Sequence, residues 1–435
     1  MKFSSIQIYR DNIMRFSAIF LGILSSVVLA PAFANSFIDD SQVTLTARNF
    51  YYDRDYKQGD AFPAARDWAQ GFILKANSGY TPGVVGFGVD ILGLAGFNLL
   101  GDSVDEYAAS GLLPVGKDRK RADQYGELRW TAKAKVQDST LHVGTLAPMF
   151  PVLFSSPARL FQQNYRGAHL QFNEIDNLKV HALYTDRVNQ RDSTNYEKIR
   201  VGNPNGRFEA AAESSGLHML GAEYKVNDQV ATQLFYADLH DVYQQSFLGL
   251  KTKHNIGIGN FLSDLRLFVS EDSGDALAGD IENQHFSGIF GLNRSNHTFS
   301  LGYMQSFGDT AMPTLAGAEP AVFLDSMSAD FTNINEKVYH ARYDYDFKDT
   351  SLNGLKFMTR YSKGVDIEIR SLPGEEFEQD ALDFELSYRI PTGKLEGLNL
   401  RARYSHYRNN MPAQGMAFRS DNETRVNIDY TWKFK

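Results

Sequence analysis

Leu382-Asp383-Phe384-Glu385-Leu386-Ser387-Tyr388-Arg389-Ile390 alternates apolar and polar side chains without a break. In an extended strand successive side chains point to opposite sides. Leu382, Phe384, Leu386, Tyr388 and Ile390 therefore share one face, and Asp383, Glu385, Ser387 and Arg389 the other. The rhythm recurs along the chain. Tyr339, Ala341, Tyr343, Tyr345 and Phe347 oppose His340, Arg342, Asp344 and Asp346. Leu355, Phe357 and Tyr361 oppose Lys356, Arg360 and Ser362, and Leu128, Trp130, Ala132, Ala134 and Val136 oppose Arg129, Thr131, Lys133 and Lys135. The chain ends on Val426, Ile428, Tyr430, Trp432 and Phe434 set against Arg425, Asn427, Asp429, Thr431 and Lys433.

Two architectures alternate in this way. A soluble β-sandwich has shorter segments, and its polar face meets bulk water. Here the segments run about nine or ten residues, the length that crosses a bilayer at a tilt. The apolar face carries Tyr, Phe and Trp near its ends, as interfacial girdles require. An open sheet would strand backbone polar groups in lipid, so the sheet must close. About 400 residues at roughly 22 per strand and connection give about 18 strands, enough to enclose a water-filled lumen. The expected fold is all-β: a transmembrane antiparallel β-barrel.

Composition agrees. The chain has 435 residues, no cysteine, a net charge of −8, 22 % charged and 13 % aromatic residues. A mean hydropathy of −0.35 suits a barrel, whose strands average apolar with polar. The absence of cysteine excludes disulfides, thiolate metal sites, a cysteine nucleophile and a lipoprotein anchor. The acidic balance and the lack of a basic run argue against nucleic acid. The ten histidines are scattered and show no metal-ligand spacing, so no metal or cofactor is expected.

Both ends carry signals. Arg15 precedes a mostly apolar stretch over 16–30, and Ala32-Phe33-Ala34 follows with small residues where a signal peptidase needs them. Residues 1–34 read as a signal peptide cleaved after Ala34, with Met14 an alternative start to Met1. Residues 35–435 then form one outer-membrane barrel. The terminal strand closes on the aromatic Phe434, the kind of ending read by barrel-insertion machinery, although Lys435 follows it. Asn293-Arg294-Ser295-Asn296 and Pro391-Thr392-Gly393 read as short periplasmic turns. The polar stretches 189–215 and 306–335 read as external loops.

Two stretches are similar to the OprD family of substrate-selective outer-membrane porins. One is Leu45-Thr46-Ala47-Arg48-Asn49-Phe50-Tyr51-Tyr52-Asp53-Arg54-Asp55, continued by Asp67-Trp68-Ala69-Gln70-Gly71-Phe72 and by residues 79–90. The other is Ser156-Pro157-Ala158-Arg159-Leu160-Phe161-Gln162-Gln163, leading to Gln171-Phe172-Asn173-Glu174-Ile175-Asp176. The resemblance implies an 18-stranded barrel narrowed by an inward-folded third loop, about residues 145–166. It places Arg159 at the constriction, where Ala158 replaces the family's serine, and an acidic residue of the seventh loop opposite. Asp330 is the match, with a second acidic position near Glu319. It also implies a ladder of basic residues along one wall. The alternation already turns Arg342, Lys356, Arg360, Arg401 and Arg403 inward, and the resemblance adds Lys363.

Stacked guanidinium groups attract anions and pair with carboxylates bidentately. Rings of basic side chains bias a pore toward anions. The bland alternative is that these arginines pair with Asp344, Asp383, Glu385 and Asp429 and merely solvate the wall. The expected function is a diffusion channel for small carboxylates: amino acids, short peptides, aromatic acids, and carbapenem-type antibiotics by the same chemistry. The alternative is a barrel enzyme, a lipase or protease, which needs a Ser–His or Asp–His constellation that no motif here supplies. A plugged transporter needs an N-terminal globular domain, and alternation begins too early for one. Gly86-Phe87-Gly88 with Gly93 lacks the spacing of a dinucleotide loop. Asp238-Leu239-His240-Asp241 could be pictured as a Ca²⁺ site or an acid–base pair, but the resemblance places it at a strand end near a loop. Expected partners are outer-membrane lipid, lipopolysaccharide and small solutes. No polar patch marks a trimer contact, which suggests a monomer or weak homotrimer.

Overall fold

The computed structural model describes residues 35–59, 61–101, 107–324 and 326–435. The expected signal peptide lies outside them. After a short helix α1, Asn35–Asp39, the chain runs through long antiparallel strands: β1 Gln42–Tyr56, β2 Ala64–Asn77, β3 Gly86–Asn98, β4 Gln124–Val136, β5 Ser139–Leu146 and β6 Asn164–Ile175. There follow β7 Leu178–Asn189, β8 Leu217–Lys225, β9 Val230–Leu239, β10 Tyr243–Asn255, β11 Asn260–Asp272 and β12 Glu282–Arg294. The last six are β13 His297–Phe307, β14 Lys337–Asp346, β15 Leu355–Ile369, β16 Leu372–Arg389, β17 Asn399–Asn409 and β18 Asp421–Lys433. Each pairs with its neighbours in sequence. The sheet closes where β1 meets β18, from Thr44↔Lys433 to Tyr56↔Asp421. The result is the expected closed barrel of 18 strands.

The alternation read from sequence is the inside–outside alternation of the wall. Leu128, Trp130 and Leu301 point outward, 63 %, 62 % and 68 % exposed, and would meet lipid. Aromatic pairs gather near the strand ends, Phe299 with Tyr343 and Tyr430 with Trp432 on the periplasmic side and Tyr303 with Tyr339 on the external side. At the end where β1 begins and β18 stops, the connections run from two to nine residues: Ser295 and Asn296 alone join β12 to β13, with Ser295 at φ 55°. The opposite end bears the long loops, at 147–163, 190–216 and 308–336.

The third loop leaves the wall at a close approach of backbones. Gly144 of β5 faces Gly167 of β6. A Cβ on Gly144, at φ 135°, would lie 2.4 Å from the Trp130 carbonyl, and one on Gly167 2.0 Å from that of Tyr184. Only glycine allows this crowding.

The lumen is not uniformly polar. The third, fourth and seventh loops fold inward and bury an apolar core against β6 to β14. Val152, Leu153, Val201, Phe208, Met312 and Phe331 of the loops pack with Tyr165, Leu183, Leu217, Phe235, Phe247, Phe268 and Val338 of the wall. Each fully buried large apolar side chain contributes roughly 1.5–3 kcal/mol, which holds the loops as part of the fold. Water is left the other half of the lumen, beside β14 to β18 and β1.

Candidate functional site

Two chambers occupy that open half. The outer one, of about 730 Å³, is lined by Arg54, Arg159, Arg191, Arg207, Arg266, Arg419 and Arg425. Among the described residues only two carboxylates, Glu319 and Asp330, share that lining. The inner one, of about 540 Å³, is lined by Arg342, Lys356, Arg360, Arg401 and Arg403 together with Asp344, Asp346, Asp383 and Glu385. Met327 of the seventh loop borders both.

Arg159 is placed by the second and third loops together. Asp67 of β2 forms a buried ion pair with Arg121 and accepts the Ser110 amide at 3.1 Å. The Ser110 carbonyl in turn accepts Arg159 Nε at 2.8 Å. The guanidinium lies over the Tyr52 ring, 5.0 Å from its centroid. Burial, and then the nearby Arg425, pull the Arg159 pKa down. Arg191 of the fourth loop is pulled down to about 10 by burial and by Arg159, with Glu319 opposing. These guanidiniums crowd one another, and an anion between them relieves the repulsion.

Two residues before Ala158, the buried Ser156 hydroxyl ties Arg191 to Glu319. Ser156 Oγ receives Arg191 Nη1 at 2.9 Å and donates to Glu319 Oε1 at 3.1 Å. Glu319 also lies 3.7 Å from Arg191. Glu319 is thus the carboxylate set against the Arg159–Arg191 pair. Asp330, the expected acidic partner, lines the same chamber but is held by Arg207 of the fourth loop. Burial works against charge on both, yet their mutual attraction wins: the Asp330 pKa falls and that of Arg207 rises.

In the inner chamber the strand register sets the basic groups in order. Arg342 of β14 is directly opposite Arg360 of β15, and Arg403 of β17 is opposite Arg425 of β18. Most are partnered. Arg342 bonds Asp344 at 2.7 Å, Arg360 bonds Asp383 at 2.7 Å, and Arg401 pairs with Glu385. Lys356 lies 3.5 Å from Asp346. The wall below Met327 therefore carries both signs closely mixed, whereas the lining above it exposes mainly arginines, five of which are paired with carboxylates: Asp264, Glu319, Asp330, Asp421 and Glu423.

One expected member of the row is elsewhere. Lys363 shares its face of β15 with Tyr361 and stands opposite Tyr339 of β14, both on the outside of the barrel. Its partner is Glu378, on the same outer face of β16. Strand parity excludes it from the lumen, because odd positions of this part of β15 point outward. The sequence reading also missed most of the outer chamber. Arg425 was legible as an inward residue of the last strand. Arg191 and Arg207 sit in an irregular loop with no periodicity to betray their direction.

The seventh loop bonds to nearly opposite walls. Arg266 of β11 donates to the Val322 carbonyl at 3.1 Å. Arg425 of β18 donates to Met327 O at 2.9 Å, and Arg54 of β1 to Ser328 O at 3.2 Å. Behind these arginines, Asp421 and Glu423 are fully buried: Arg54 meets Asp421 at 2.6 Å, and Arg425 pairs with Glu423.

Residues 35–434 match the family described as outer membrane porin, OprD family. The porin-like protein GalP of Pseudomonas putida is 32 % identical over 403 residues, 92 % of this chain and 93 % of that protein. The crystal structure of Acinetobacter baumannii OccAB3 superposes with a TM-score of 0.89 at 53 % identity, covering 91 % of this chain and all (100 %) of that one. The crystal structure of Pseudomonas aeruginosa OpdK with vanillate gives a TM-score of 0.83 at 32 % identity, covering 92 % and 100 %.

Proposed function

Because this chain belongs to the OprD family of outer-membrane porins, a substrate-specific channel and not an enzyme, we propose that the solutes it selects are small molecules bearing a carboxylate. The observation that carries this is the outer chamber, with seven arginines to two described carboxylates on its lining. A carboxylate entering there exchanges water for charge-assisted, fork-shaped bonds. Repulsion within the Arg159, Arg191 and Arg425 group weakens as it arrives. Glu319 lines the same chamber, so a dipolar solute finds an acidic group for its ammonium beside the arginines that take its carboxylate.

Beyond Met327 the solute meets Arg403 and Arg401, then Arg342 and Lys356. Their carboxylate partners keep each contact weak, and a channel needs weak contacts to release its cargo. Arg159 and Asp330 keep distinct roles in this reading: Arg159 meets the solute, and Asp330 fixes the loops that shape the aperture. Support for an aromatic carboxylate among the cargoes comes from OpdK, solved with vanillate, and from the apolar side of the chamber, with Phe154, Leu324, Met411 and Phe418. The native setting includes lipopolysaccharide outside, and the assembly is a monomer or weak homotrimer.

The test is liposome uptake of benzoate against benzamide, and of an acidic, a neutral and a basic amino acid. Uptake of benzoate at least several times faster than benzamide is expected. Equal rates would remove the carboxylate reading.

A further inference from the structure

Arg425 and Arg54 bracket the buried Glu423 carboxylate and reach together into the lumen. There they meet two oxygens: Met327 O at 2.9 Å and Ser328 O at 3.2 Å. These are consecutive carbonyls of one chain. Two adjacent acceptors facing two guanidiniums imitate what a carboxylate would present, except that they carry no charge. A bond to an ionised acceptor is roughly twice as strong.

The segment has little apolar anchoring of its own beyond Ala329, which packs against the interior core. Leu324 and Phe331 on either side are 4 % and 0 % exposed and belong to the interior apolar core. Ser326, Met327, Ser328 and Ala329 between them are all partly exposed. Met327 and Ser328 are tied to the wall by polar bonds: the two carbonyls and Ser328 Oγ, which donates to Asp421 at 2.8 Å. With few buried apolar contacts, what the segment gives up on moving is chiefly these polar bonds, which a competing anion can replace. Met327 borders both chambers, so displacing this segment joins them.

We propose that Ser326–Ala329 is an internal occupant of the pore's carboxylate site, and that a solute carboxylate crosses by taking Arg425 and Arg54 from the Met327 and Ser328 carbonyls. Asp421 and Glu423 hold the two guanidiniums in place when the segment leaves. Their charge also tempers the site, so the solute is released and the carbonyls return. Passage and partition are thereby coupled: a neutral solute of the same size has nothing to offer in exchange. The proposal rests on the carboxylate reading above.

The chain has no cysteine, and Ser328 Oγ lies 3.5 Å from Ser405 Oγ of β17. Ser328→Cys with Ser405→Cys would pin the segment to the wall by a disulfide. The full-length protein is reconstituted reduced, then oxidised in the membrane, with each single variant as control. The oxidised pair is expected to lose benzoate uptake at least tenfold, and reductant should restore it. Benzoate, and not benzamide, should slow disulfide formation several-fold by lifting the segment. Equal benzoate uptake through oxidised and reduced protein overturns the proposal. So does cross-linking at one rate in benzoate and benzamide. If instead the parent protein admits benzamide as fast as benzoate, it is the carboxylate reading that fails.

Discussion

A single guanidinium grips both carboxylate oxygens of Asp330: Arg207 Nη2 meets Oδ1 at 2.8 Å and Nη1 meets Oδ2 at 2.9 Å. The same guanidinium reaches Thr332 Oγ1 at 3.2 Å and Asn333 Oδ1 at 3.1 Å. The fork ties the fourth loop to the seventh at the rim of the outer chamber. Planar pairing of this kind fixes geometry as well as charge. The acidic residue assigned to the constriction thus serves first as a clasp between two loops.

Asp330→Ala leaves Arg207 without its carboxylate. Hydrogen bonds to a charged group contribute roughly 1.5–3 kcal/mol, and the fourth and seventh loops should loosen by about that amount. Faster proteolysis of the external loops and noisier single-channel current are the expected outcomes. Arg207→Ala should do the same, and the double variant should cost less than the sum of the two.

Glu319→Gln should raise anion preference and Arg159→Ala lower it. A unit charge about 8 Å from an ion's path, at an effective dielectric near 40, changes its energy by roughly 1 kcal/mol. Chloride and potassium move oppositely, so their permeability ratio should shift roughly thirtyfold, up in one variant and down in the other, as read from reversal potentials in a salt gradient. Shifts of the same sign would contradict the placement of these two residues on the lining of one chamber.

Removing members of the inner row should separate conduction from stability. The Arg360 and Asp383 side chains are 4 % and 2 % exposed, so Arg360→Ala strands a buried carboxylate and should cost roughly 3–5 kcal/mol. Lys356 is 65 % exposed, and Lys356→Ala should leave thermal stability unchanged. Arg401→Ala and Arg403→Ala should lower single-channel conductance and carboxylate uptake. Lys363→Ala should alter neither conductance nor selectivity, because its exposed pair with Glu378 lies outside the lumen.

Burial pushes the Glu336 carboxyl up to about 7, although the Asn333 amide and side chain and Gln379 all donate to it. Its ordinary value is 4.5. The folded loop thus holds the proton more tightly than the unfolded one. Stability from this group is complete below pH 4.5 and is lost as pH rises through 7. The root of the seventh loop should resist proteolysis better at pH 5 than at pH 8, and Glu336→Gln should flatten that difference.

Strand, face and closure were legible in the sequence, because the period of two is local and lipid demands an apolar outer face at every alternate position. The strand count followed from length, and Arg342, Lys356, Arg360, Arg401 and Arg403 from parity alone. Lys363 shows the limit of resemblance: parity already turned it outward. What only the tertiary structure decided is how the lumen is shared. Phe235, Phe247 and Phe268 point inward with no local sign of what covers them, since their partners come from loops tens of residues away. Arg191, Arg207 and Glu319 lie in segments without periodicity, so their directions depend on those long-range apolar contacts. The pairing of the inner row with Asp344, Asp383 and Glu385, and the gathering of seven arginines on the lining above Met327, are likewise products of register and loop packing. Chain order does not display these; the folded barrel does.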